Sequence, residues 1–264
     1  MKSFDFHRPQ SVADAVALLK SHESAKVLAG GQSLLPVMKL DLAQPSDLVS
    51  LAGVRALREI RDGGTELVVG ALATHDEVAS SADVKRRIPA LAALAGGIGD
   101  AQVRNRGTIG GSLAHADPAA DYLAAVLALG ATIATDRRRI AADDYFRGLF
   151  QTALAPDEVI TAVHFPVPER AAYAKLPHRA SKYAVVGVMV AKTAGGVRVA
   201  VTGAGPKAFR LPALEAALAK SFSPEAADSV AVAPGDLRSD GETSPEYRAH
   251  LVRVMARRAI QACL

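Results

Sequence analysis

The chain has 264 residues, 50% of them hydrophobic and 22% charged, with a formal net charge of +4. That composition describes a globular protein of one to three compact units, and no run of about 18 apolar residues is present to span a membrane as a helix. Cys263 is the only cysteine, which excludes an internal disulfide, a Cys₄ zinc site, or an iron–sulfur cluster held by this chain alone.

The basic residues are scattered, apart from Arg137-Arg138-Arg139, which reads as an exposed hairpin tip, so no nucleic-acid surface is expected. The N-terminus, Met1-Lys2-Ser3-Phe4-Asp5, has no apolar leader core, and the cytoplasm is the expected compartment. The remaining histidines do not fall at metal-ligand spacing, so the sequence predicts no metal site.

Ser11-Val12-Ala13-Asp14 reads as a helix-capping sequence, with Val12, Ala15, Val16 and Leu19 on one apolar face behind it. Lys26–Ala29 reads as a strand, as does Leu48–Leu51, which closes a small α/β unit over 1–53. Leu57–Arg61 and Glu66–Leu72 flank Asp62-Gly63-Gly64, a hairpin signal because positive φ costs glycine little. Thr74 caps a helix running through Ser80, and Pro89–Gly96 is a second. Thr108–Asp121 reads as a loop whose Asp117-Pro118 opens a helix over Ala119–Leu129, nearly all apolar from Tyr122 and so buried.

Strands are predicted over Ala131–Thr135, near Ile140, and over Val159–Phe165; Phe165-Pro166-Val167-Pro168 then reads as a linker ending a middle α+β unit over 54–168. In a third unit, 169–264, Ala171–Lys175, Tyr183–Thr193 and Val197–Gly203 form a three-stranded antiparallel sheet, the last two strands turning at Gly195-Gly196. Helices over Leu211–Lys220 and Pro245–Cys263 finish the chain. In the last, Tyr247, Leu251, Val254, Met255 and Ala262 share a face interrupted by Arg258. The fold class is α+β.

Two stretches carry the chemistry. Ala29-Gly30-Gly31-Gln32-Ser33-Leu34-Leu35-Pro36 follows a strand, and Thr108-Ile109-Gly110-Gly111-Ser112-Leu113-Ala114-His115 precedes Asp117 and Asp121. Each is a glycine pair followed by polar side chains. Glycine lets a ligand approach the backbone closely, and free N–H groups beside a helix start suit an anion such as a phosphate. Neither stretch fits G-x-G-x-x-G, and neither has the lysine of a nucleoside-triphosphate loop. Turn geometry alone explains one glycine pair; two such loops could clamp a dinucleotide's pyrophosphate from both sides.

Together these two motifs resemble the FAD-binding medium subunits of molybdenum hydroxylases, of the carbon monoxide dehydrogenase and xanthine dehydrogenase type, and the resemblance covers nearly the whole chain. It implies a two-part FAD-binding domain of the PCMH kind, with FAD between the first two units and the C-terminal sheet-and-helix domain behind. It implies cofactor contacts from Val27, Leu28, Ala29, Gly30, Gly31, Gln32, Ser33 and Leu34, and from Gly107, Thr108, Ile109, Gly110, Gly111, Ser112, Ala114 and His115. Ile98, Val159 and Ile160 match apolar positions against the flavin or adenine, though plain core explains them equally. Lys175 matches a lysine near the flavin ring, where a cation stabilises the reduced anion; a solvated strand-end lysine is the alternative. Asp121 is read as an acceptor for ribose or ribityl hydroxyls or as a helix-start charge, and Tyr183 as a ring that stacks on the flavin or merely packs. Asp117 fits a capping role.

The resemblance also implies partners: a [2Fe-2S] small subunit, a molybdopterin-binding large subunit and an external electron acceptor, in a dimer of such trimers (a heterohexamer). No catalytic acid–base set is visible in this chain. A stand-alone FAD-dependent oxidase or reductase of a small organic substrate, and a non-enzymatic nucleotide-binding module, remain the alternatives.

Overall fold

The computed structural model describes residues 1–264. Its first sheet is parallel, in the order β1 (Asp5–His7), β3 (Asp47–Ser50), β2 (Lys26–Leu28), with α1 (Val12–Ser21) packed on β3. Ser11 caps α1 as its spacing predicts, accepting the Asp14 N–H at 3.1 Å. A short helix absent from the sequence reading, α2 (Leu34–Lys39), follows the first glycine pair; Pro36 falls in its first turn, where a missing N–H costs nothing.

The second sheet is antiparallel and five-stranded. Its order is β4 (Ile60–Asp62), β5 (Glu66–Gly70), β10 (Ile160–Pro166), β6 (Thr132–Thr135), β7 (Arg139–Ala141). Val163 of β10 sits between Val69 and Ile133, all three fully buried. Between β5 and β6 run α3 (His75–Ser80), α4 (Ala82–Arg87), α5 (Pro89–Gly96), α6 (Ala101–Arg104), α7 (Ile109–His115) and α8 (Asp121–Ala128). Thr74 and Glu77 form a reciprocal capping box on α3. A small hairpin of β8 (Phe146–Gly148) and β9 (Gln151–Thr152) precedes β10.

The C-terminal sheet has four strands rather than three: β11 (Arg170–Pro177), β12 (Ala184–Thr193), β13 (Gly196–Thr202) and β14 (Phe209–Arg210). Two residues are too few to show an alternation, which is why β14 leaves no sequence signal. Along β12 the two faces have different partners: Val186, Val188 and Val190 belong to the core with α10 (Pro245–Cys263), while Met189 and Ala191 join the large core around α8. Every residue of α8 is buried, held between two sheets. Each fully buried Leu or Val there contributes about 1.5–3 kcal/mol of transfer free energy.

The sequence misjudged the phase of α10. Tyr247 and Ala262 are exposed, and the buried stripe runs through Leu251, Val252, Met255, Ala256, Ala259, Ile260 and Cys263. Arg248 is drawn into that stripe because its guanidinium donates to the Gly203 carbonyl at 2.8 Å and to that of Val185 at 2.6 Å. α9 (Pro212–Lys220) packs beside β13.

Candidate cofactor site

Gly30 lies where two loops meet backbone to backbone. A Cβ there would overlap the Arg106 carbonyl, and Gly107 Cα lies 2.8 Å from the same point. Gly31 has φ +76°, a left-handed conformation that suits glycine and turns the chain from β2 into α2. From Gly30 through Leu34, no backbone N–H donates to a protein acceptor. The first loop therefore carries a run of unpaired donors.

The second loop is built differently. Thr108 and Thr74 form an isolated antiparallel bridge, and α7 starts directly after Thr108, so the glycine pair opens a helix instead of a free loop. Its N–H groups are taken: Ile109 donates to Ala73 at 3.1 Å, Gly110 to Ala71 at 2.9 Å, Gly111 to the Thr108 hydroxyl at 3.1 Å and Ser112 to the Thr108 carbonyl at 3.0 Å. The expectation of free N–H groups here is thus corrected. Gly110 owes its lack of a Cβ to Ala71, whose own Cβ would lie 2.7 Å away. Asp117-Pro118 does not begin α8 either; Ala120 is its N-cap, and the Asp117 carboxylate accepts the Ala119 N–H at 2.9 Å in the preceding turn. That turn is fastened from behind by the C-terminal sheet, with Gly203 N–H donating to the Pro118 carbonyl at 2.7 Å and Ala184 N–H to that of Ala119 at 3.1 Å.

Between the parallel sheet and the five-stranded sheet these loops border a cavity of about 600 Å³. Of the residues singled out from the sequence, Val27 through Leu34, Ile98, Gly107, Thr108, Gly110, Gly111, Ser112, Ala114, His115, Asp121, Val159, Ile160 and Tyr183 line it. Ile109 and Lys175 do not. Ile109 is fully buried in the large core. Lys175 Nζ is occupied by three acceptors: Asp121 Oδ1 at 2.8 Å, the Gly97 carbonyl at 2.9 Å and the Lys182 carbonyl at 3.0 Å.

Asp121, read from sequence as a candidate ribose or ribityl acceptor, is buried and spends Oδ1 on Lys175 and on the Tyr173 hydroxyl, which donates at 2.7 Å. Gly187 makes room for that hydroxyl, since a Cβ there would collide with it. Burial pushes the Asp121 carboxyl up from its ordinary value, and Lys175 pulls it back. Tyr183 is 40% exposed at the cavity's edge. Burial, then the charge of Asp117, raises its phenol, against the Ser33 hydroxyl, which lowers it.

Several lining residues escaped the sequence reading, His75, Glu158 and Leu154 among them. His75 is buried, with Nδ1 unpaired and Nε2 against Gly107; burial and then the Arg104 charge lower its imidazole to about 4, so it is neutral at pH 7. Glu158 is held at about 2, chiefly by the Arg138 guanidinium, which reaches both its oxygens at 2.8 Å. Leu154 adds apolar wall. The Thr74–Glu77 capping box was the one local signal near His75. Of the titratable lining groups, Asp121 and Glu158 are each committed to a cation and His75 is buried and neutral, while His115 and Asp117 also border the cavity.

Residues 2–168 match the family model described as the FAD binding domain in molybdopterin dehydrogenase, and residues 171–263 that of the CO dehydrogenase flavoprotein C-terminal domain. The chain belongs to the FAD-binding medium subunits of the molybdenum hydroxylases. Within that family it is 40% identical to the nicotine 6-hydroxylase medium subunit of Paenarthrobacter nicotinovorans, over 96% of this chain and 94% of that one. It is 37% identical to the carbon monoxide dehydrogenase medium chain of Hydrogenophaga pseudoflava, over 98% and 96%. Its fold superposes on a chain of the reconstituted CO dehydrogenase from Oligotropha carboxidovorans with a TM-score of 0.92 at 36% identity, covering 99% of this chain and 98% of that one.

As a medium subunit of this kind the protein is an oxidoreductase subunit that binds FAD. The cavity suits that cofactor on its own chemistry. Its volume falls in the range of small-molecule sites, its first loop offers unpaired N–H donors for phosphate oxygens, and Ile98, Val103, Leu154 and Val159 supply apolar wall for a planar ring. No helix is long and apolar enough to cross a membrane.

Proposed function

We propose that this chain is the electron-transfer subunit of a molybdenum hydroxylase. It would take electrons from a [2Fe-2S] partner chain and deliver them to an external acceptor, while a separate molybdopterin chain oxidises the substrate, in a dimer of such trimers. The observation that supports this reading is the cavity itself: it has a cradle of free N–H donors and apolar wall, and its buried carboxylates Asp121 and Glu158 are already paired with cations. A single cysteine, buried in the C-terminal core, leaves the cluster to another chain.

Bound in the cavity, FAD supplies the exchange between one-electron and two-electron carriers. The rest falls to the protein. In this reading residues 30–33 hold the pyrophosphate through backbone N–H groups, and Gly111 and Ser112 border it from the other side. Ile98, Val159 and Ile160 keep water from the rings, and the partly exposed Tyr183 stands at the edge where the flavin would face its electron partner. Lys175 acts through Asp121 and the Lys182 carbonyl, fixing the turn that carries Tyr183. The three-part division at 53 and 168 goes with this proposal, the first two parts closing on the cofactor.

The test is to load the isolated chain with FAD and assay it with candidate substrates and a dye acceptor, then add the iron–sulfur and molybdopterin chains. Turnover should appear only with the partners. Robust turnover by the isolated chain, unchanged on adding them, would establish a stand-alone oxidase instead.

A further inference from the structure

Away from the cavity, three side chains distant in sequence meet on the N-terminal unit. His7 ends β1, His22 caps the C-terminus of α1, and Asp47 begins β3. His7 Nε2 is 2.7 Å from Asp47 Oδ1, His22 Nε2 is 3.7 Å from the same oxygen, and the ligand atoms of all three lie within 4.8 Å of one another. Their separations in sequence match no metal motif; the parallel pairing of β1 with β3 and the packing of α1 on β3 bring them together.

A plain hydrogen bond accounts for His7 and Asp47, but not for His22. Its Nδ1 lies 3.0 Å from the Leu18 carbonyl and 2.9 Å from the Ser21 hydroxyl, and its Nε2 is turned toward Asp47 at a distance too long for a hydrogen bond. A cation held among Nε2 of His7, Nε2 of His22 and the Asp47 carboxylate would use all three ligand atoms at once. The outer bonds are those that metal ligands use: Nδ1 of His22 anchored on a backbone carbonyl, and the second carboxylate oxygen of Asp47 accepting from the Ser46 hydroxyl at 2.6 Å. The Asp47 side chain is 6% exposed while those of His7 and His22 are 27% and 37%, so the cluster is closed toward the protein and open to water ligands.

We propose that His7, His22 and Asp47 form a binding site for a divalent transition metal of the kind imidazole and carboxylate share, with Zn²⁺ as the type and water completing its shell. The metal pins the end of β1, the end of α1 and the start of β3 to one point. That unit's core cluster is small and shared with Leu57, Leu72 and Val159 of the middle unit, and its β2, hydrogen-bonded beside β3, leads into the first glycine loop.

The test uses the full-length chain stripped with a chelator, titrated with Zn²⁺ alone by calorimetry and followed by thermal unfolding. The wild type should bind a single equivalent. Its melting temperature should rise by about 5 °C or more when Zn²⁺ is about a hundredfold above its Kd. His22→Gln keeps the His7–Asp47 hydrogen bond, so its metal-free melting temperature should hold while its Zn²⁺ affinity falls at least tenfold, by about 1.4 kcal/mol or more. His7→Gln should lose affinity similarly. Should either variant fail to fold, nitrogen NMR of the wild-type histidine rings decides: Zn²⁺ must shift the His7 and His22 ring nitrogens and leave those of His164 and His178 in place. Absence of binding, unchanged affinity in His22→Gln, or a shift confined to other histidines overturns the site and leaves His22 an ordinary neighbour of Asp47.

Discussion

Gly30 and Arg106 are in backbone contact: the Arg106 carbonyl occupies the space that a Cβ on residue 30 would need. The contact ties the first glycine loop to the segment leading into α7, so the two halves of the cofactor cradle are positioned by each other. Gly30→Ala must push these backbones apart, at a cost of about 1–3 kcal/mol typical of overpacking, and should lower the flavin-to-protein ratio. Gly111→Ala is the contrast, because the added Cβ crowds the Thr108 hydroxyl at 2.9 Å, a side chain able to rotate away, and otherwise meets the Ala29 Cβ at an ordinary 3.7 Å. It should cost about 1 kcal/mol, the value of the cap it disturbs. Urea midpoints and flavin absorbance of the two variants check the ranking; a Gly30→Ala protein as stable and as yellow as the wild type would refute the contact's importance.

Lys175→Met tests the buried ion pair. The substitution leaves Asp121, 3% exposed, without its cation, and breaking one side of a buried pair costs about 3–5 kcal/mol. The double variant Asp121→Asn with Lys175→Met removes the stranded charge and should recover part of that loss. Thermal or urea unfolding of the single and double variants measures the coupling. If the double variant is no more stable than Lys175→Met, the pair contributes nothing specific.

Thr202 is fully buried on β13, and its hydroxyl lies 2.7 Å from the Pro118 carbonyl and 2.8 Å from that of Ala120. Thr202→Val keeps the shape and strands the Ala120 carbonyl, while that of Pro118 keeps the Gly203 N–H, for a cost of about 1–3 kcal/mol. Because the same turn leads into Asp121, flavin should bind more weakly as well. Equal flavin affinity in wild type and variant, measured by fluorescence titration, would show that the turn's position does not reach the cavity.

What could be read in the sequence was local. The Thr74–Glu77 box, Pro89 at a helix start and the Gly195-Gly196 turn are short-range patterns, and each produced its element. The helix over Ile109–His115 was missed because two glycines disfavour a helix on propensity alone, while the bonds that order it come from Ala71 and Ala73, far back in the chain. The cradle's first half was visible as a motif, since its function needs only a turn and free N–H groups. The Asp121–Lys175–Tyr173 cluster was not, because residues 52 to 54 positions apart leave no period or spacing to detect. Cys263 and Ile260 fell outside the predicted face of α10 because buried Arg248 rotates the stripe, and its partners are carbonyls of the neighbouring sheet.

His75 gives the chain a pH dependence of definite sign. Folding buries its imidazole without a partner for Nδ1 and lowers it from an ordinary value of 6.5 to about 4. Between those values the unfolded chain binds a proton that the folded chain refuses, so stability falls as the pH drops through that window and rises as it climbs. At about 1.4 kcal/mol per unit, the loss from pH 6.5 to 4 is about 3 kcal/mol. Above about pH 7.5, where the unfolded imidazole has lost its proton too, the residue contributes no slope. His75→Gln removes the titration while leaving the carboxylates unchanged, so the difference between the two stability-versus-pH curves isolates this residue, whatever the variant's baseline. Urea unfolding at half-unit intervals should show the wild type losing stability more steeply than the variant as the pH falls below about 7.5, with the curves parallel from about pH 7.5 upward. Parallel curves over the whole range would mean that the imidazole is not held neutral by burial, and that a hydrogen-bond partner for Nδ1 stabilises its protonated form.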